Sequence, residues 1–219
     1  MWEDDLFNVI NKKPRNLARA KVRTKEQLAA DIFNFGFTAG GGGDATFTSG
    51  DALALFSTAH TRTDGGATQS NTTTADLAED SLETALVTMR ATLDNKGQLI
   101  AVRPTTLLVP PSLEKEAKIL LKSTQRTGTA NNDINPYEGV LKLIVWDYLG
   151  NTGAGGSDTA WFVIGSDDHS LNFYTRSDHG LEGPETDFDN KNAKWSVDCR
   201  WSVGFDDWRS TYGSQGDNS

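Results

Sequence analysis

The sequence predicts an α+β fold. Apolar residues recur with helical spacing in three segments, all of them before residue 123. Beyond residue 138 the spacing changes to the alternation of strands, and it is longest near the end of the chain. The two kinds of segment do not interleave in the strand–helix–strand order of a parallel sheet, and no repeat of about 20–50 residues is present.

The first helix is predicted over 14–37. Pro14 suits a first turn, and Gly36 supplies a stop. Ala20, Thr24, Leu28 and Ile32 stand four apart, with Leu17, Ala29 and Phe33 beside them. Its first half carries Arg15, Arg19, Lys21, Arg23 and Lys25, so that half is expected to face solvent or another chain. One face should rest on strands of the same chain. A long connection of weak regularity follows, through Gly40 to Gly43, the short apolar run Leu53-Ala54-Leu55-Phe56 and a polar stretch over 61–74. Such connections in an assembling protein are expected to be ordered by neighbours.

A second helix is predicted over 75–93, with Thr74 as N-cap and Leu77, Leu82, Ala85, Leu86, Met89 and Leu93 on one stripe. A strand over 105–109 ends at Pro110-Pro111. A third helix over 112–122 then has Ile119 and Leu120 on its apolar face, and Glu114 and Glu116 suit its positive end. Strands follow over 139–148, 159–164 and 171–175. The terminal strand, 193–205, has the clearest pattern: Trp195, Val197, Cys199, Trp201, Val203 and Phe205 alternate with polar residues or Gly. That alternation predicts one face on a core and Lys194, Ser196, Asp198 and Arg200 on the other.

Composition excludes several classes. The net charge of −9 is the wrong sign for a protein that grips nucleic acid through its phosphates, and no nucleic-acid motif accompanies the basic cluster between Lys12 and Lys25. A single cysteine, Cys199, permits no internal disulfide and no cysteine-rich zinc site. No apolar run approaches the ~20 residues of a membrane span. Met1-Trp2-Glu3-Asp4-Asp5 is acidic where a signal peptide is basic, which points to a reducing compartment or a particle assembled in one.

The search for chemistry yields no site. His169 follows Asp167-Asp168 and His179 follows Asp178, but the spacing fits no ligand motif and both read as turns. Ser57 lies three residues before His60 without the Gly-x-Ser-x-Gly elbow of a hydrolase. Gly40 to Gly43 and Gly153 to Gly156 lack the Lys-Ser/Thr of a phosphate loop. Asn71-Thr72-Thr73 matches a glycosylation acceptor, but no secretion signal supports it. Asp206-Asp207 reads as a solvated turn. No catalytic, cofactor-binding or metal-binding residue is assigned, and no enzyme activity is expected.

Several segments, in order, resemble one family. They are Arg23-Thr24-Lys25-Glu26 through Ala29-Ala30-Asp31-Ile32-Phe33-Asn34 and Phe37, then Gly50-Asp51-Ala52-Leu53-Ala54-Leu55-Phe56-Ser57-Thr58-Ala59-His60, Gly65-Gly66 and Ser70-Asn71. Asp94-Asn95-Lys96-Gly97, the run Arg103-Pro104 to Pro110-Pro111-Ser112-Leu113-Glu114, and Gly128-Thr129-Ala130-Asn131-Asn132-Asp133-Ile134-Asn135-Pro136 come next. The end adds Asp187-Phe188-Asp189, Asn192-Ala193-Lys194, Trp201-Ser202-Val203-Gly204 and Tyr212-Gly213-Ser214. Together they resemble the Mu-like major head subunits, within the tailed-phage and herpesvirus capsid lineage.

That resemblance implies a subunit with a long spine helix, a peripheral-type domain (1–74 and 181–219) and an axial-type domain (75–180). It implies a virion protein, assembled in the bacterial host cytoplasm. Hexamers and pentamers of it would close an icosahedral shell around double-stranded DNA without sequence-specific binding. Scaffolding, portal and decoration proteins are the implied accessory partners, with no cofactor and no membrane. The lineage's N-terminal arm and extended hairpin, which usually precede the spine helix, are expected to be absent from this chain. The rivals are an encapsulin-like compartment around protein cargo, a β-rich metal-dependent hydrolase and an adhesin-like binding module.

Overall fold

The computed structural model describes residues 9–39, 48–126, 133–150, 156–166, 170–186, 189 and 193–216, with side chains from Lys12 onward. The elements are α1 (Val9–Asn34), β1 (Thr72–Thr73), α2 (Glu79–Arg90), β2 (Pro104–Val109), α3 (Glu114–Lys122), β3 (Lys142–Val145), β4 (Trp161–Gly165), β5 (Leu171–Thr186), β6 (Ala193–Phe205) and β7 (Thr211–Ser214). Short 3₁₀ turns occupy Pro111–Leu113 and Asp147–Leu149. The chain packs as two units, Met1–Ala29 with Phe173–Val203, and Ala30–Asn172 with Gly204–Ser219. The division expected from the sequence, at 74/75 and 180/181, is one of role; the division by packing falls elsewhere, and residues 30–74 and 204–219 pack with the sheet.

The larger unit is built on a five-stranded sheet of order β1-β7-β4-β2-β3. The β1–β7 and β2–β3 pairs are parallel; β4 runs antiparallel to both β2 and β7. Both faces of its centre are covered, which explains why β2 and β4 end in continuous apolar runs rather than alternating ones. On one face Leu107, Val109, Trp161 and Val163 pack with Leu82, Ala85, Leu86 and Met89 of α2 and Ala117 and Leu121 of α3. Phe162 belongs to a second cluster, in which its ring lies 5.2 Å from Phe33, 5.3 Å from Phe56 and 5.9 Å from Phe37. A β-carbon added at Gly213 would sit 2.8 Å from the Phe56 ring, and one at Gly36 equally close, so both glycines make room for that phenyl group.

Several boundaries differ from those expected. α1 begins at Val9 and carries Pro14 inside it. A proline this near the start deprives only the Ile10 carbonyl of its helical partner, so the helix tolerates it. Helix α1 ends at Asn34, before Gly36 and short of the expected Phe37. α2 begins at Glu79 with Ala78, not Thr74, as N-cap. The Ala75 carbonyl is already taken by Trp161 Nε1 (3.0 Å) and the Ser214 hydroxyl (2.5 Å), which holds residues 74–77 out of the helix. The Ser81 hydroxyl accepts the Ala78 N–H (2.9 Å), so the cap comes from inside the first turn. In α3 the buried face is Ala117 and Leu121, continued by Leu113 of the preceding 3₁₀ turn, while Ile119 and Leu120 are half-buried.

The connection over 48–74 has almost no regular structure, as expected, but its described part is held by its own chain. Leu55 and Phe56 are buried. His60 and Gln69 exchange backbone hydrogen bonds (3.0 and 2.9 Å). The Gln69 amide in turn clasps the backbone of Leu93 (3.0 and 2.8 Å).

In the smaller unit the first part of α1 lies against β5 and β6. These strands pair with each other, joined by residues 187–192, a connection short enough to require antiparallel pairing. The β6 side chains alternate as the sequence predicts: Trp195, Val197, Cys199, Trp201 and Val203 are half-buried, and the residues between them are exposed up to Ser202. β5 is far longer than the expected 171–175. Its residues from Asp178 to Thr186 are all exposed, so no alternation marked it as a strand.

Candidate assembly surface

The residues that carried the search for chemistry are placed as structural groups. His60 is fully buried. Its Nδ1 lies 2.8 Å from Asp51 Oδ2, and its ring stacks on Trp208 at 4.1 Å between centroids and 6° between planes. Its Nε2 has no hydrogen-bond partner among the described residues. The Ser57 hydroxyl instead accepts the Ala59 N–H (3.3 Å), so serine and histidine are not joined as nucleophile and base. His179 is not in a turn; it lies within β5 and its carbonyl accepts Lys21 Nζ (2.5 Å). His169, Gly40 to Gly43 and Gly153 to Gly155 lie outside the described residues. Among the described residues no cluster of three or more His, Cys, Asp or Glu is placed to hold a metal.

Asn71, whose glycosylation motif has no secretion signal behind it, is a buried structural group. As a glycosylation acceptor it would need an exposed amide, but it is 3% exposed and its side chain is fully used. Asn71 Nδ2 donates to the carbonyls of Leu55 (2.8 Å) and Thr211 (3.2 Å), and Oδ1 accepts the Ser57 N–H (2.9 Å). Nothing in the local sequence announces this, because all three partners are distant in the chain.

Asp206 and Asp207 are also not a free solvated turn. Asp206 Oδ2 accepts from Asn172 Nδ2 (2.9 Å), and Asp207 pairs with the Arg209 guanidinium (3.0 Å). That guanidinium also donates to the Leu93 carbonyl (3.1 Å) and to Asn95 Oδ1 (2.7 Å), and packs over the Trp208 ring. It thereby anchors the step from Asp94 to Gly97. Within that step the Asp94 carboxylate accepts the N–H groups of Lys96 (2.8 Å) and Gln98 (2.7 Å), which hold its pKa below the ordinary aspartate range. An open polar cleft of about 430 Å³ lies beside these groups, lined by Ser49, Asp51, Thr63, Asn95, Asp207 and Arg209. Of its charged groups, Asp51 lies against His60, Asp207 pairs with Arg209, and Asp206 accepts from Asn172.

The basic half of α1 divides into two sets. Lys21 pairs with Asp178, and this hydrogen-bonded cation is the main cause holding the Asp178 carboxyl below its usual range. Lys25 lies 5.2 Å from the Phe173 ring and 5.9 Å from Trp201, within cation–π distance. Both lysines therefore seat the β5–β6 pair on the helix, with no neighbouring copy required. Arg15, Arg19 and Arg23 are exposed, and among the described residues they make no ion pair.

Comparison with known proteins gives the class. The sequence profile of the phage capsid protein family matches residues 1–214. The chain belongs to that family, and it is a structural, non-enzymatic subunit of the virion. Among solved structures it is similar to the capsid of bacteriophage JBD30 decorated with minor capsid protein trimers, at 15% identity, 68% coverage of this chain and 70% of that one, with a TM-score of 0.54. At such identity the likeness is one of fold. A second structure, of the bacteriophage JBD30 capsid (14% identity, 68% and 71% coverage, TM-score 0.49), and a structure of Mycobacterium phage Ogopogo (14%, 89% and 67%, TM-score 0.43) also match. No curated protein matches the chain.

Proposed function

We propose that this chain is a Mu-like major head subunit, copies of which close an icosahedral shell of hexamers and pentamers around double-stranded DNA. The observation that carries the reading is the family match along residues 1–214. The fold supports it: the described residues offer no assembled catalytic group, while a long strand pair and a basic helix face stand exposed for other copies. In this reading residues 1–74 and 181–219 take the peripheral role and residues 75–180 the axial role. Scaffolding and portal proteins are its accessory partners. Minor capsid protein trimers of the kind on the JBD30 shell would decorate its outer face. DNA is retained by enclosure, which an acidic chain of net charge −9 can do without strong phosphate binding.

Electron microscopy of the purified protein, with nucleic-acid content measured on particles from infected or induced cells, tests this. Closed icosahedral particles containing DNA are expected. Particles holding protein cargo and no DNA would favour an encapsulin-like compartment, and a persistently monomeric or trimeric protein would end the shell reading.

A further inference from the structure

Lys12, Arg15, Arg19 and Arg23 stand three, four and four residues apart along α1, which places them on one face of the helix. All four are exposed. Local physics works against this arrangement. Like charges at four-residue spacing repel, and cations near a helix N-terminus oppose the macrodipole. No acidic residue stands between Val9 and Lys25 and none occupies the first turn; the nearest acid on this face is Glu26, three residues after Arg23, against four cations. The two lysines that have work within the subunit, Lys21 and Lys25, lie on a different face, against β5 and β6. A stripe that costs its own helix stability and serves no described partner in its own chain requires a partner outside it.

We infer that this arginine stripe is a contact surface for carboxylates of a second copy of the chain; the inference rests on the shell reading above. Charge complementarity selects that occupant. Seven of the 21 basic residues fall between Lys12 and Lys25, and the other 14 stand against 30 acidic ones, a balance of −16 outside this stretch. Each copy therefore offers acidic surface in excess and one concentrated basic face. The stripe is flanked by Val22, which is 60% exposed. An exposed aliphatic group beside arginines suits a protein surface, while a phosphate backbone makes no use of it. Guanidinium groups also pair bidentately with carboxylates, which fixes orientation as well as strength.

The test compares wild type with Arg15→Glu/Arg19→Glu/Arg23→Glu and with the milder Arg15→Gln/Arg19→Gln/Arg23→Gln, which keeps the helix should the reversal fail to fold. Circular dichroism gives the subunit melting temperature, sedimentation the assembled fraction at low and high salt, and gel shift the binding of duplex DNA. The expected result is a melting temperature unchanged or raised, because repulsion is relieved. The assembled fraction should fall about tenfold or more at low salt, and wild-type assembly should weaken as salt rises. A lowered melting temperature would place the partner within the chain and overturn the inference. Normal particles with unchanged salt response would make the stripe a solvated face and overturn it too. Normal particles that lose DNA would assign the stripe to nucleic acid instead. Wild type that forms no particles at all sinks the shell reading and this inference with it, whereas the other failures leave the shell reading standing.

Discussion

Asn71 holds three backbone groups of two distant segments, Leu55 and Ser57 in one and Thr211 in the other, with one amide. The connection over 48–74 has almost no ladder of its own, so such side-chain bonds stand in for one. Truncation to alanine orphans up to three buried backbone groups at about 1–3 kcal/mol each, so Asn71→Ala is expected to cost on the order of 3 kcal/mol. Urea unfolding of the isolated subunit measures it, and a loss below about 1 kcal/mol would show that water replaces the amide. His60 and Arg209 do comparable work from other positions, the first stacked beneath Trp208 and the second tying the tail to residues 93–95. All three are polar residues of loop segments, the type that sequence reading examines first for chemistry. Their burial turns them into fasteners.

At the scale of elements, α1 carries two kinds of surface on one helix. From Ala30 onward its side chains Ile32 and Phe33 are buried in the sheet unit, while before that its lysines seat the β5–β6 pair. The seat has a defined acid response. Bonding to Lys21 depresses the Asp178 pKa below the unfolded value of about 3.9. A depressed carboxylate adds stability that is fully present above the unfolded pKa and is lost as pH falls through the folded one. The stability difference between wild type and Asp178→Asn is therefore expected to be constant above about pH 5 and to close below about pH 4. A difference that persists unchanged to pH 2 would mean that the ion pair contributes nothing to seating the strands.

At the scale of the molecule, burial is unequal. The strands β2 and β4 lie under helices and aromatic rings, whereas β5 from Asp178 to Thr186 is exposed along its whole length. A stretch of two-stranded ribbon whose side chains on one strand are all exposed is marginal in water. Amide hydrogen exchange on the free subunit should therefore find Leu107, Leu108, Phe162 and Val163 among the slowest sites and residues 178–186 among the fastest. In assembled particles residues 178–186 are expected to slow by at least about tenfold, because neighbouring copies cover them in the shell reading. Equal exchange in subunit and particle would leave this ribbon outside the contacts.

What the sequence determined by itself was the α+β class, the existence of three helices, the strand ending at Pro110, the terminal strand from 193 to 205, and the capsid family. Each of these is encoded locally or in order. Apolar spacing marks a helix because three- and four-residue neighbours share a face, and Trp195 to Phe205 marks a strand because alternate residues do. The tertiary structure alone decided the rest. It drew out β5 to 16 residues, since a strand with no buried face leaves no pattern to read. It delayed α2 by taking the Ala75 carbonyl for Trp161 and Ser214, a competition between groups 86 and 139 positions apart. It made Asn71, to which the sequence assigned no role, a buried clasp. It also separated Lys21 and Lys25, which hold their own subunit together, from the arginines that face outward. The sequence could show that the basic residues were crowded. Which of them had partners depended on contacts between segments far apart in the chain, and local spacing carries no record of those.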